Sequence, residues 1–142
     1  MWADTLLAAE RAHLMRIAIW GGASVLCGLA LLGIARGSGS SSPLLKHFGI
    51  QTFAWGVVNV LIAIVFTRQV HMRDLAGATS LDRFLWLNIG LDAGYVMVGI
   101  SLILCGLKLG RKLGLAGAGL GIVTQGFALC MLDLIFAAQI SR

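Results

Sequence analysis

The chain has 142 residues, of which 58% are hydrophobic and 12% are charged, and its mean hydropathy is +0.91. A soluble domain of this size leaves about a third of its unfolded-chain surface exposed, so it could not hide so much apolar surface. The net charge of +5 comes from bases at the ends of apolar segments, where they meet lipid head groups. No basic patch with interleaved polar and aromatic residues is present, which excludes a nucleic-acid-binding domain.

Four segments have the length and the composition of membrane-spanning helices, which need about 20 mainly apolar residues each. They are residues 17–35, 48–67, 84–107 and 116–138. The first two carry no charge, and the last two carry one each, Asp92 and Asp133. We therefore predict an all-α fold, a polytopic four-transmembrane-helix bundle that forms a single domain over residues 1–142.

The segments between the spans are polar. Residues 1–16 predict an interfacial helix that lies on the membrane or continues into the first span, and residues 36–46 predict a flexible Gly/Ser linker with the only proline. Residues 68–83 predict a polar connector with a short interfacial helix. Near its end, Thr79 and Ser80 favour the N-cap of the third span. Residues 108–112 predict a tight basic turn.

Four spans place both chain ends on one side of the membrane, the terminus side. The positive-inside rule hardly decides whether that side is the cytoplasm, because basic residues lie on both sides in nearly equal number. The terminus side has Arg11, Arg16, Arg68, Arg73, Arg83 and Arg142, and the other side has Arg36, Lys46, Lys108, Arg111 and Lys112. We predict a bacterial cytoplasmic membrane with both termini in the cytoplasm.

Polar residues recur at spacings of three, four or eight within spans two to four, so each set shares one helix face. These faces must point into the bundle, because lipid cannot satisfy their hydrogen bonds. Arg16 lies at the start of the first span, on the terminus side of the membrane, within reach of these polar residues. The predicted intramembrane polar network comprises Asp92, Asp133, Asn59, Asn88, Tyr95, Gln125, Gln51 and Arg16.

Two interpretations of this network remain open. An ionised aspartate at mid-membrane costs about 2.5–3.5 kcal/mol on insertion scales, so Asp92 and Asp133 need an explanation. One interpretation is a proton, cation or polar-ligand site. The other interpretation is hydrogen bonding between helices, with the two acids neutral or paired. Each such bond within a membrane stabilises a protein by about 0.6 kcal/mol on average.

Small residues and an internal repeat bear on packing. Gly90 and Gly94, and likewise Gly117 and Gly121, form small-xxx-small pairs that let helix backbones approach within one chain or between two copies. Spans two and four each have a glutamine followed eight residues later by a polar residue, which favours two related hairpins about a pseudo-two-fold axis normal to the membrane.

No catalytic or cofactor motif is present. The three cysteines lie far apart inside apolar runs, as small buried hydrophobes do, and the three histidines have no metal-ligand spacing within one segment. No nucleophile–base pair is visible. We therefore expect no metal, no cofactor and no enzymatic activity.

Three sequence segments carry a family resemblance. They are HFGIQTFAWGVVN at 47–59, LDAGYVMVGISL at 91–102 and GLGIVTQGFALCMLDLIFAA at 119–138. They resemble a family of small uncharacterised bacterial four-helix membrane proteins, over about residues 45–140. The resemblance implies four helices and no particular activity.

Two classes of function are left by these observations. The first, which the sequence favours, is a structural or accessory membrane subunit surrounded by lipid, as a homo-oligomer or within a larger complex. The alternative is a small transporter or a ligand- or proton-binding protein that uses Asp92 and Asp133. A water-lined cavity that reaches the aspartates would favour the alternative, and a dry, filled bundle would favour the first.

Overall fold

The computed structural model describes residues 2–37 and 42–140, and in these ranges it contains four α-helices and no strand. The helices are α1 (Trp2–Gly37), α2 (Pro43–Thr67), α3 (Leu75–Lys108) and α4 (Leu113–Ile140). Each is long and apolar enough to cross a membrane. The all-α fold class, with four helices long and apolar enough to span a membrane, is thus confirmed.

The helices are longer than the apolar spans that mark them in the sequence. α1 runs without a break through the predicted interfacial segment, and its residues Leu6, Glu10, His13 and Leu14 are buried. These four recur on one face, so the N-terminal half of α1 packs on the bundle instead of lying apart from it. At 36 residues the helix is about 54 Å long, well beyond the roughly 30 Å of a hydrocarbon layer.

Two predicted helix boundaries are wrong. α3 begins at Leu75 with Asp74 as its N-cap, whose Oδ1 accepts a hydrogen bond from the Gly77 N–H at 2.8 Å. Thr79 is already inside the helix, because its hydroxyl donates to the Leu75 carbonyl. Apolar composition locates the membrane segment of α3, whereas the capping carboxylate sets where the helix starts.

The predicted linker at residues 36–46 is helical at both of its ends, which is the second wrong boundary. α1 extends to Gly37, and α2 starts at Pro43 behind the N-cap Ser42. Proline suits the first helical turn, where its missing N–H has no partner to lose. The prediction of flexibility for residues 38–41 lies outside the described residues.

The helices pair as two antiparallel hairpins, α1–α2 and α3–α4, and α4 joins them by packing against both α2 and α1. Between described residues, no Cα of α3 comes within 8 Å of a Cα of α1 or α2. A pseudo-two-fold relation would repeat the α1–α4 contact as a contact between α3 and α2. The α2 and α3 backbones do not make that contact, so a gap lies between them. The internal repeat therefore stays a prediction.

Glycines allow the backbones inside the bundle to approach closely. A Cβ added at Gly28 would lie 2.6 Å from the Phe53 backbone nitrogen, and one at Gly56 would lie 2.7 Å from the Val25 nitrogen. Gly117 and Gly121 pack on α2 in the same way. Around Gly90 and Gly94, by contrast, an added Cβ would meet nothing within 4 Å, so of the two predicted pairs only the second serves packing within the described chain.

We predict that Gly28→Ala destabilises the protein and that Gly33→Ala does not. The added methyl group at residue 28 would overlap the Phe53 backbone, which cannot move aside cheaply, whereas residue 33 on the same helix faces open space. Overpacking of this kind costs about 1–3 kcal/mol. Unfolding of the two purified variants in detergent checks the difference. Equal stability of both variants would show that the α1–α2 crossing is looser than described.

Candidate functional site

A cavity of about 750 Å³ occupies the gap between α2 and α3. α1 and α4 form its back wall, which includes His13, Asp133 and Phe136. The α2–α3 connector lines its terminus end through His71 and Arg73. The cavity exists because α4 holds α3 against itself while nothing brings the α3 backbone up to α2.

Two aromatic pairs cross the gap between α2 and α3. The Trp55 and Tyr95 rings meet edge-on with centroids 5.3 Å apart, and the Phe66 and Phe84 rings stack with centroids 6.3 Å apart. In each helix the two aromatic residues are eleven positions apart, which is about 16 Å along the axis. The pairs therefore frame an opening on the outer surface of the bundle, and we call it the lateral window. Its edges are the exposed side chains of Val58, Ile62 and Leu91.

Asp92 lies on the cavity wall and is 7% exposed. Within residues 2–37 and 42–140, neither a hydrogen bond nor an ion pair to another side chain or to the backbone engages its carboxyl group. Asn88 lies one turn before it on α3 and is half-buried, and Tyr95 lies one turn after it and is 41% exposed. Burying a carboxyl group costs free energy unless it is paired or hydrogen-bonded, so Asp92 is an unmatched acid on the cavity wall. Among the described residues, His13 Nδ1 is also buried there without a hydrogen-bond partner.

Asp133 has a partner on α1. Its Oδ1 lies 3.2 Å from His13 Nε2, and both side chains are 8% exposed. The His13 ring also stacks on Phe136, with centroids 4.5 Å apart and an interplanar angle of 15°. The pair therefore holds α1 against α4 at the back of the cavity.

Glu10 and Arg73 form a second pair at the terminus end of the cavity. The guanidinium group donates two hydrogen bonds, from Nη2 to Oε1 at 2.7 Å and from Nε to Oε2 at 3.1 Å. The hydrogen bond to Glu10 raises the pKa of Arg73 above its usual value. The Glu10 side chain is only 7% exposed, so this two-point contact fixes the α2–α3 connector to α1.

A cluster of neutral polar side chains, which we call the Gln125 cluster, lies deeper in the bundle. Gln125 Oε1 accepts hydrogen bonds from Trp20 Nε1 at 2.8 Å and from Asn59 Nδ2 at 3.4 Å. Its Nε2 donates to Ser24 Oγ at 3.0 Å. Gln125 and Asn59 are each 1% exposed. One amide thus links α1, α2 and α4.

The structure brings most of the predicted network residues to this region, but it does not connect them as one hydrogen-bonded network. Asp92, Asp133, Asn59, Asn88 and Tyr95 all line the cavity. Hydrogen bonds divide them, however, because Asn59 bonds to Gln125 and Asp133 bonds to His13.

Three of the predicted network residues are not on the cavity wall: Gln125, which lies deeper in the bundle, Gln51 and Arg16. Gln51 packs beside Gly121 farther along α2. Arg16 does not pair with either aspartate, because His13 holds the position on α1 that faces Asp133. The Nη1 atom of Arg16 is buried without a hydrogen-bond partner among the described residues.

Sequence reasoning missed five functional or structural contacts in this region: Glu10, His13, Trp20, Ser24 and Arg73. For Glu10 and His13 the sequence signal is their spacing from Leu6 and Leu14, which places all four on one helix face. Read alone, that segment has the amphipathic pattern of a helix on a surface. For Arg73 no sequence signal exists, since a loop residue has no periodicity.

Comparisons with known proteins place the chain without assigning it an activity. The model of a family of unknown function, DUF6992, matches residues 16–134. No curated protein and no solved structure matches the chain.

Proposed function

This chain belongs to DUF6992, a family of unknown function, and we propose that it is an integral membrane protein that binds a small ligand in the cavity between its hairpins. The observation that carries the proposal is Asp92, a buried carboxyl group on the cavity wall without a partner among the described residues. The proposed role is binding, as in a carrier or a receptor, and it requires no bond to be made or broken.

The cavity has the size and the lining that ligand sites have. Its volume of about 750 Å³ falls within the roughly 300–1,000 Å³ of small-molecule pockets, which combine mainly apolar walls with a few polar groups. Interhelical hydrogen bonding accounts for Asp133 and Gln125, both of which have partners. It does not account for Asp92, and this difference supports the ligand-binding alternative over a purely structural role.

An accessory or homo-oligomeric component is the second candidate function. It is favoured by Gly90 and Gly94, which leave open space on the outer face of α3 where a partner helix could approach closely; lipid would cover the remaining apolar exterior. Cross-linking in native membranes tests this candidate, and products that contain only the monomer would remove it.

The proposed location is a bacterial cytoplasmic membrane, with the start of α1 and the end of α4 on the cytoplasmic side. The support for this orientation is the small excess of six basic residues on the terminus side over five on the other side. A reporter fused behind α4 that is active only in the cytoplasm tests it, and activity only outside would reverse the orientation.

We predict that a cysteine at residue 88 is open to water and that one at residue 87 is not. The experiment uses a variant in which Cys27, Cys105 and Cys130 are replaced by serine. Asn88 lines the cavity, while Leu87 lies at the same depth, is 60% exposed on the outer face and is absent from the cavity wall. A small charged thiol reagent added to the protein in bilayers should modify Asn88→Cys much faster, because a thiol in hydrocarbon is not ionised.

The pair is matched for depth and for helix, so only the face differs. Equal labelling of the two variants, or labelling of Leu87→Cys alone, would mean that no hydrated cavity exists in the membrane and would contradict the proposed function.

A further inference from the structure

We propose that the ligand of the cavity is an amphipathic organic cation, whose single positive charge lies against the Asp92 carboxylate while its apolar body lies between the two aromatic pairs. This inference rests on the proposed ligand-binding function and names the class of ligand.

The charges around the cavity leave one acid unmatched. Arg73 is engaged by Glu10 through two hydrogen bonds, and Asp133 is engaged by His13. The remaining acid is Asp92, which has no such partner among the described residues. A ligand cation supplies the missing partner and offsets the cost of burying the carboxylate. The Asp92 carboxylate would repel an anion. Among the described residues that line the cavity, the one arginine, Arg73, already holds the carboxylate of Glu10.

The other groups near Asp92 suit an organic cation better than a metal ion. The described residues contain no group of three or more His, Cys, Asp or Glu side chains that could hold a metal, and divalent cations such as Ca²⁺ take six to eight oxygen ligands. Tyr95 lies one turn from Asp92 on α3, and its ring meets that of Trp55 across the gap. Aromatic faces within about 6 Å attract ammonium and similar cations.

The walls and the lateral window fit an apolar body. Val58, Ile62 and Leu91 line the window and are exposed at the outer surface of the bundle. In a bilayer that surface faces hydrocarbon, so a molecule dissolved in the membrane would reach the cavity sideways between the aromatic pairs. The connector, held by Glu10 and Arg73, lines the terminus end of the cavity, the side from which water and small charged solutes would enter.

The test compares three aromatic probes of different charge: the cation tetraphenylphosphonium, the anion tetraphenylborate, which has nearly the same shape, and the smaller neutral triphenylphosphine oxide. Equilibrium dialysis against the purified full-length protein in lipid nanodiscs, with empty nanodiscs subtracted, gives the affinities. We expect tetraphenylphosphonium to bind at least about tenfold more tightly than the other two, the discrimination that one close charge pair can provide.

Asp92→Asn should remove that preference, while Asp82→Asn should keep it. Asp82 is an acid on the same helix outside the cavity wall. A second pair guards against a folding defect in Asp92→Asn: Tyr95→Leu should weaken tetraphenylphosphonium binding several-fold, whereas Phe127→Leu, which removes an exposed aromatic residue away from the cavity, should not.

The outcomes separate this inference from the proposed function. If the neutral probe binds as tightly as the cation, and Asp92→Asn changes nothing, the cavity is a ligand site but the cation inference is wrong. If no probe binds, the inference is also overturned. In either case, labelling at residue 88 decides independently whether the hydrated cavity, and with it the proposed function, still stands.

Discussion

Replacement of Arg73 by alanine is expected to destabilise the protein by about 3–5 kcal/mol, because it leaves a buried carboxylate without its partner. The carboxylate is that of Glu10, which accepts two hydrogen bonds from Arg73 and is 7% exposed. The same change frees the α2–α3 connector from α1. Thermal or denaturant unfolding of the purified variant in detergent measures the loss.

Two controls show whether the unpaired charge is the cause. In the double variant Glu10→Gln/Arg73→Ala no charge is stranded, so it should be clearly more stable than Arg73→Ala alone. Arg68→Ala removes an exposed arginine from the start of the same connector and should change stability by less than about 0.5 kcal/mol. If Arg73→Ala is as harmless as Arg68→Ala, the pair does not hold the connector to α1.

Gln125→Leu is the second change with a large expected effect, a destabilisation of about 2–4 kcal/mol. Leucine cannot accept from Trp20 and Asn59 or donate to Ser24, and each buried donor left unpaired costs about 1–3 kcal/mol. The loss should exceed the membrane average of about 0.6 kcal/mol for a single hydrogen bond, since three contacts end together. Unfolding in detergent measures it.

Gln51→Leu is the matched control. Gln51 resembles Gln125 in the sequence repeat, but it is half-buried, and in the described chain its side chain makes no hydrogen bond. This change should cost well under half as much as Gln125→Leu. Comparable losses for the two variants would indicate that apolar packing, and not the hydrogen bonds of the Gln125 cluster, sets the stability at residue 125.

The sequence predicts the number of helices and which faces turn inward, because both depend on local patterns. Hydropathy identifies four spans, and the second ends at Thr67 in the prediction and in the structure. The three-, four- and eight-residue spacings correctly indicate that Asn59, Asp92, Gln125 and Asp133 are buried. Helix starts are less accessible, since the polar first turns of α1 and α3 lie outside the apolar segments that mark them.

The pairing of polar groups could not be predicted, because it depends on the rotation of one helix against another. Arg16 and His13 are three residues apart on α1, and the sequence gives no reason for His13 to be the one that meets Asp133. The gap between α2 and α3 likewise depends on how α4 packs against the other three helices. The network is further divided because Asn59 bonds to Gln125 and Asp133 pairs with His13, and neither pairing is visible in the sequence.

The central claim, a hydrated ligand cavity that ends at Asp92, is tested most directly by an experimental structure of the protein in a lipid bilayer at a resolution that shows ordered water. We predict that α2 and α3 stay apart between the Trp55–Tyr95 and Phe66–Phe84 pairs. Water or a bound ligand should lie within hydrogen-bonding distance of the Asp92 carboxylate. An α2 helix packed directly on α3, with the cavity filled by side chains and Asp92 bonded only to protein, would contradict the account.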